Sequence, residues 1–152
     1  MNRSWARRLP EPEQPLFVYG TLRFPGVVAE LIGRAPASEP ALLPGRRVAA
    51  LPGRVYPGLV TAAGAVAHGF LLTGLSAADW RILDAFEDDE YDLKPVSVHA
   101  GERETYAWTY TWTAEVTQEN WSAEAFAAEQ LPQYLRKCAA WRKDLILLKE
   151  TV

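Results

Sequence analysis

The chain has 152 residues, a length that fits one domain, and 49% of them are hydrophobic, which excludes a disordered chain. Its formal net charge is −3 and its Lys and Arg residues are scattered, so neither nucleic acid nor an anionic membrane surface is the expected partner. The lone Cys138 rules out an intrachain disulfide. With His68 and His99 it makes no metal-ligand spacing, so neither metal nor cofactor is expected. Residues 1–15 are polar and carry Pro10, Pro12 and Pro15, which reads as a flexible N-terminal arm ahead of a single domain over 16–152. The arm has no apolar segment of the signal-peptide kind. No apolar run reaches the roughly 20 residues of a membrane span, so a cytoplasmic location is expected.

Leu16-Phe17-Val18-Tyr19, ended by Gly20, predicts a short buried strand. Pro25 suits a helix start and Gly33 a helix stop, with Val27, Val28, Leu31 and Ile32 as the apolar stripe between them. Residues 35–45 read as a Pro/Ala-rich loop. Arg47–Leu51 and Val55–Val60 follow as short strands set off by Pro52-Gly53 and Pro57-Gly58, and a further strand spans 65–74. Ser76 predicts an N-cap, with Asp79 as the capping-box acid and Ala77, Trp80, Leu83 and Phe86 at helical spacing. Two strands are expected at 94–100 and 104–113. In the second, Tyr106, Trp108, Tyr110 and Trp112 share one face and small residues the other, a pattern suited to a curved sheet or small barrel. A helical tail over 121–148 must break or bend at Pro132, with Cys138 packed as a small buried hydrophobe. Strands dominate, one helix divides them and helices close the chain, so the fold class is α+β.

Two segments are chemically unusual. Tyr19-Gly20-Thr21-Leu22 joins a strand end to a helix start. That geometry leaves amides without partners and able to hold a carboxylate or an oxyanion, although a Gly there most often serves a turn. Glu87-Asp88-Asp89-Glu90 then places four acids at an expected helix C-terminus, where the helix dipole and mutual repulsion both disfavour them. The run reads either as a solvated turn or as a device that raises the pKa of Glu87, which starts beside the core residue Phe86. No G-x-S-x-G, G-x-G-x-x-G or P-loop string is present.

These segments carry a resemblance. Leu16–Leu22 resembles the "VYGTL" signature of the γ-glutamylcyclotransferase-like superfamily. Gly53-Arg54-Val55-Tyr56-Pro57-Gly58-Leu59 resembles its second motif, and Leu83-Asp84-Ala85-Phe86-Glu87 with Tyr91 and Val96-Ser97-Val98 its "LDxFE…Y…V.V" segment. The plant avirulence-induced-gene-like subgroup is the most similar. The resemblance implies a small mixed β-barrel flanked by helices. It also implies a cyclotransferase that releases 5-oxoproline from small γ-glutamyl amides without a cofactor. Glu87 becomes the catalytic acid/base, Tyr19, Gly20, Thr21 and Leu22 the substrate loop, and Tyr91 a group that binds substrate or positions Glu87. Where the family often has Arg, two residues after the motif Tyr, this chain has Leu93; Arg23 and Lys94 are the candidate replacements. The alternative expectation is a non-catalytic domain of the same fold that binds a small anion or γ-glutamyl compound.

Overall fold

In the computed structural model, residues 14–150 are described, with side chains through 146; most of the expected N-terminal arm lies outside these residues. The elements are β1 (Leu16–Val18), α1 (Pro25–Ile32), β2 (Ala37–Ala50), β3 (Pro57–Thr73), α2 (Ala77–Phe86), β4 (Tyr91–Ala100), β5 (Arg103–Trp112), α3 (Ala123–Glu129) and α4 (Leu131–Glu150). A 3₁₀ turn, Thr21–Arg23, links β1 to α1.

The strands form a closed barrel in the order β1-β3-β2-β4-β5. β2 and β3 pair antiparallel along most of their length, as do β4 and β5. The seam is β1, antiparallel to β3 on one side and parallel to β5 on the other, where Leu16 faces Trp108. The Trp108 amide donates to the Pro15 carbonyl (2.9 Å) and extends the seam.

Alternation along the strands creates two cores. Phe17, Tyr19, Leu43, Leu59, Leu71, Val98 and Ala107 fill the barrel. Leu16, Val18, Leu93, Tyr110 and Trp112 face outward and pack beneath α1, α2 and the C-terminal helices with Trp80, Leu83, Phe126 and Tyr134. This arrangement accounts for the aromatic alternation of β5. The small side chains take the crowded interior, and buried Thr109 donates to the Phe17 carbonyl (2.9 Å). Tyr110 and Trp112 are buried, whereas Tyr106 is 80% exposed at the far end of the same face.

The expected helix signals act as read. α1 starts on Pro25 and ends at Gly33, whose φ of 83° is left-handed. Ser76 and Asp79 form a complete capping box on α2. The tail breaks at Gln130, and Pro132 falls in the first turn of α4, where its missing N–H costs no helical bond.

Two segments differ from their sequence reading. Residues 37–45, read as loop, are strand and run into the strand expected from Arg47 to make one long β2. Pro40 and Pro44 are accommodated because β2 meets β4 only where Leu42 faces His99, so its outer edge needs few donors. Gly45, at φ 79°, turns the register shift between Pro44 and Arg46. The two strands expected over 55–74 are one long strand, β3.

Candidate active site

The site lies at one end of the barrel, where β1 and β5 finish and β3 and β4 begin. Tyr19, Gly20, Thr21, Leu22, Pro57, Glu87, Tyr91 and Tyr110 line a small cleft of about 30 Å³ there. All the residues expected at the site are therefore brought together, although they come from two separate stretches of chain.

The 3₁₀ turn shapes the loop. Its bonds run from the Arg23 amide to the Gly20 carbonyl (3.1 Å) and from the Phe24 amide to the Thr21 carbonyl (3.3 Å). Among the described residues, the amides of Gly20, Thr21 and Leu22 have no acceptor. Gly20 has φ −112°, outside the left-handed region that favours glycine. What requires Gly is proximity, because a Cβ there would stand 2.9 Å from Pro57 Cγ and 3.0 Å from Cδ. The first motif's Gly thus seats the second motif's Pro. Gly58 does the same for Trp112, whose Cβ and Cγ would each lie 2.6 Å from an added Cβ.

Glu87 closes α2 as its C-cap and is half-buried. Its position is set by α2, which is held by fully buried Trp80 and Leu83 and by buried Asp84, whose Oδ1 accepts from the Tyr110 hydroxyl (2.9 Å). Tyr110 in turn offers its carbonyl to the Tyr19 hydroxyl (2.6 Å). One residue of β5 therefore ties the loop strand to the helix that carries Glu87.

The Tyr91 hydroxyl donates to the Pro57 carbonyl. Its proton is committed within the protein, and only its oxygen lone pairs remain to face a ligand. Burial above all, with the Glu87 charge behind it, pushes the Tyr91 hydroxyl well above the usual phenol range. Burial and the Glu87 charge do the same to Tyr19. Both phenols stay protonated at neutral pH.

The acidic run is less strained than the sequence suggested. Arg54 pairs with Glu90 (2.8 Å) and approaches Asp88 (3.9 Å), and the Tyr56 hydroxyl donates to Asp88 (2.7 Å). Burial raises the Asp88 carboxyl, but the Tyr56 bond, the Glu90 amide and the Arg54 charge outweigh it and hold it below the usual range. The second motif's Arg and Tyr therefore serve the acids of the third. Leu93 is buried in the helix-facing core, in register with Tyr110. Neither candidate replacement for an Arg there lines the cleft. Lys94 pairs with Asp92 (3.2 Å), and Arg23 stacks on Phe70 (5.2 Å) at the edge of another recess behind Tyr19.

Sequence reasoning missed the tail's contribution. Thr21 donates to the Tyr134 hydroxyl at a long 3.4 Å, and Tyr134, Lys137 and Trp141 of α4 border the outer side of the cleft with Tyr56. The spacing of Tyr134, Cys138 and Trp141, four and then three residues apart, is the signal that marks this helix face.

The cleft sits at the rim of a small closed barrel, with Glu87 at the end of α2 and the loop residues Tyr19–Leu22 among its lining. The chain belongs to the family described as "Gamma-glutamyl cyclotransferase, AIG2-like", which matches residues 16–128. It is 39% identical over 99 residues to AIG2-like protein C of Arabidopsis thaliana, a match spanning 61% of this chain and 58% of that protein. AIG2-like protein D of the same plant is 28% identical over 143 residues, 90% of this chain and 94% of that protein. A solution structure of another Arabidopsis thaliana protein superposes with a TM-score of 0.67 at 27% identity, covering 90% of this chain and 87% of that one. A structure described as "Gamma-glutamyl cyclotransferase" gives 0.61 at 15% identity, over 84% and 87% of the two chains, and shows the shared fold. No helix among the described residues is long and apolar enough to cross a membrane.

Proposed function

We propose that the protein is a γ-glutamyl cyclotransferase that converts a γ-glutamyl amide into 5-oxoproline and a free amine. The observation that supports this reading is the shared cleft, whose lining includes both Glu87 and the loop residues Gly20, Thr21 and Leu22. Glu87 takes a proton from the substrate's α-ammonium. The freed amine attacks the γ-carbonyl, a C–N bond forms, and the carbonyl oxygen gains negative charge. The loop amides hold that charge or the substrate's carboxylate. Glu87 then returns the proton to the departing nitrogen as its bond to carbon breaks, and the ring nitrogen sheds its second proton, which leaves the amine as its ammonium, so no water is consumed.

Because the nucleophile is tethered to the carbonyl it attacks, proximity supplies much of the rate. With Tyr19 and Tyr91 held protonated, Glu87 is the side chain of the cleft suited to shuttle the proton. The test is 5-oxoproline release from a panel of γ-glutamyl amino acids and amines. Glu87→Gln is expected to fold normally and lose about 10²–10⁴-fold in turnover. A Gln variant as fast as wild type removes Glu87 from the mechanism.

A further inference from the structure

A second, larger recess of about 240 Å³ adjoins the cleft and shares Thr21, Glu87 and Tyr91 with it. Glu87 stands at the junction, so a substrate whose γ-carbonyl meets Glu87 in the cleft has this recess beside its departing nitrogen. The walls of the recess are aromatic. Phe86, at the end of α2, packs edge-on against Tyr134 (6.3 Å between ring centres) and Trp141 (5.0 Å), both from α4, and Tyr56 lies across from them.

The charges around the recess are unequal in availability. Asp88 already accepts from the Tyr56 hydroxyl and neighbours Arg54. Lys137 lies at the exposed rim with its Nζ 5.8 Å from the centre of the Tyr134 ring, and among the described residues its ammonium has no ion-pair partner. A ligand entering here meets flat apolar walls and an available positive charge.

We infer that this recess is the subsite for the departing amine. It selects an α-amino acid with an aromatic or large apolar side chain, which lies against Phe86 and Trp141 while its free α-carboxylate meets Lys137. The assignment rests on the cyclotransferase reading above and names the substrate class for it. A diamine or polyamine leaving group would instead bring a second cation toward Lys137 and leave the aromatic walls partly unfilled.

The experiment compares γ-glutamylphenylalanine, γ-glutamylalanine and γ-glutamylphenethylamide, the last keeping the ring and lacking the carboxylate. Each is measured for 5-oxoproline release and, by calorimetry, for binding to the full chain. The phenylalanine compound is expected to exceed each of the others by about tenfold in kcat/KM, one comparison reading the ring and the other the carboxylate. In Lys137→Gln the carboxylate preference should fall to about onefold while the ring preference persists. In Trp141→Ala the ring preference should shrink while the carboxylate preference persists. Equal use of all three compounds by wild type, or an undiminished carboxylate preference in Lys137→Gln, overturns the assignment. If none of the compounds releases 5-oxoproline, the cyclotransferase reading fails, and the calorimetry judges the recess separately. Tighter binding of the carboxylate-bearing ligand, abolished in Lys137→Gln, supports the subsite, and equal affinities overturn it.

Discussion

Replacing Gly20 with Ala tests whether the loop and the second motif are assembled as one unit. The new Cβ would stand 2.9 Å from Pro57 Cγ, about 0.5 Å inside ordinary carbon contact at 3.4 Å, so the ring or the loop must move. Pro57 has little freedom to yield, because its carbonyl accepts from the buried Tyr91 hydroxyl and the next residue, Gly58, lies against Trp112. Overpacking of this kind costs about 1–3 kcal/mol. At about 2–4 °C per kcal/mol for a chain of this size, the melting temperature should fall by several degrees. Thermal melts and urea titrations would be run on Gly20→Ala, Pro57→Ala and the double variant. Removing the ring removes the clash, so the double variant should recover about 1 kcal/mol or more relative to the sum of the singles. A Gly20→Ala protein as stable as wild type, or strict additivity in the cycle, would refute the close-approach explanation for this glycine.

Other outcomes follow from the same geometry. In Asp79, burial raises the carboxyl, but the Ser76 bonds and the Arg34 charge outweigh it and depress its pKa below the usual range. Its contribution to stability is therefore present above the unfolded carboxyl pKa of about 3.9 and lost as the pH falls through the lower folded value. Urea titrations of Asp79→Asn and wild type should differ most above about pH 5 and converge in strong acid; a constant gap would contradict the capping role. Leu83→Ala, at a fully buried anchor of α2, should destabilise by about 2–5 kcal/mol in denaturant titration. Cys138 is fully buried and its thiol is pushed up to about 12 by burial, so a thiol reagent at pH 7.5 should label it only on unfolding. Arg54→Ala should move the Asp88 pKa upward in carboxyl carbon NMR titrations, because the guanidinium charge contributes to holding it down.

The barrel was legible where chemistry and period agreed. Large and small residues alternating from Tyr106 to Trp112 demanded two faces of different room, and Ser76 with Asp79 announced α2 unaided. Residues 37–45 were not legible as strand, because Pro40, Pro44 and Gly45 are loop punctuation in isolation. Their tolerance depends on an outer edge of β2 left largely unpaired, which is a fact of topology. For the site, motif order and resemblance pointed to Glu87 and Tyr19–Leu22. The reason for Gly20 was misread as turn geometry, since the ring that excludes a side chain arrives from 37 positions along the chain. Tyr134, Lys137 and Trp141 were missed because a helix stripe shows which face is buried and not what it is buried against.

The three-residue seam strand has a further consequence. β1 is made before the other four strands, yet its parallel neighbour, at Trp108 in β5, belongs to the last of them, and the residues that follow β1 directly are those of the loop. A ribosome-bound chain that already contains Glu87 still has an open barrel and a loop supported on one side alone. The loop and the end of α2 take up their relation only as the ring of strands shuts, so a truncated or stalled product carries the cleft residues without their alignment.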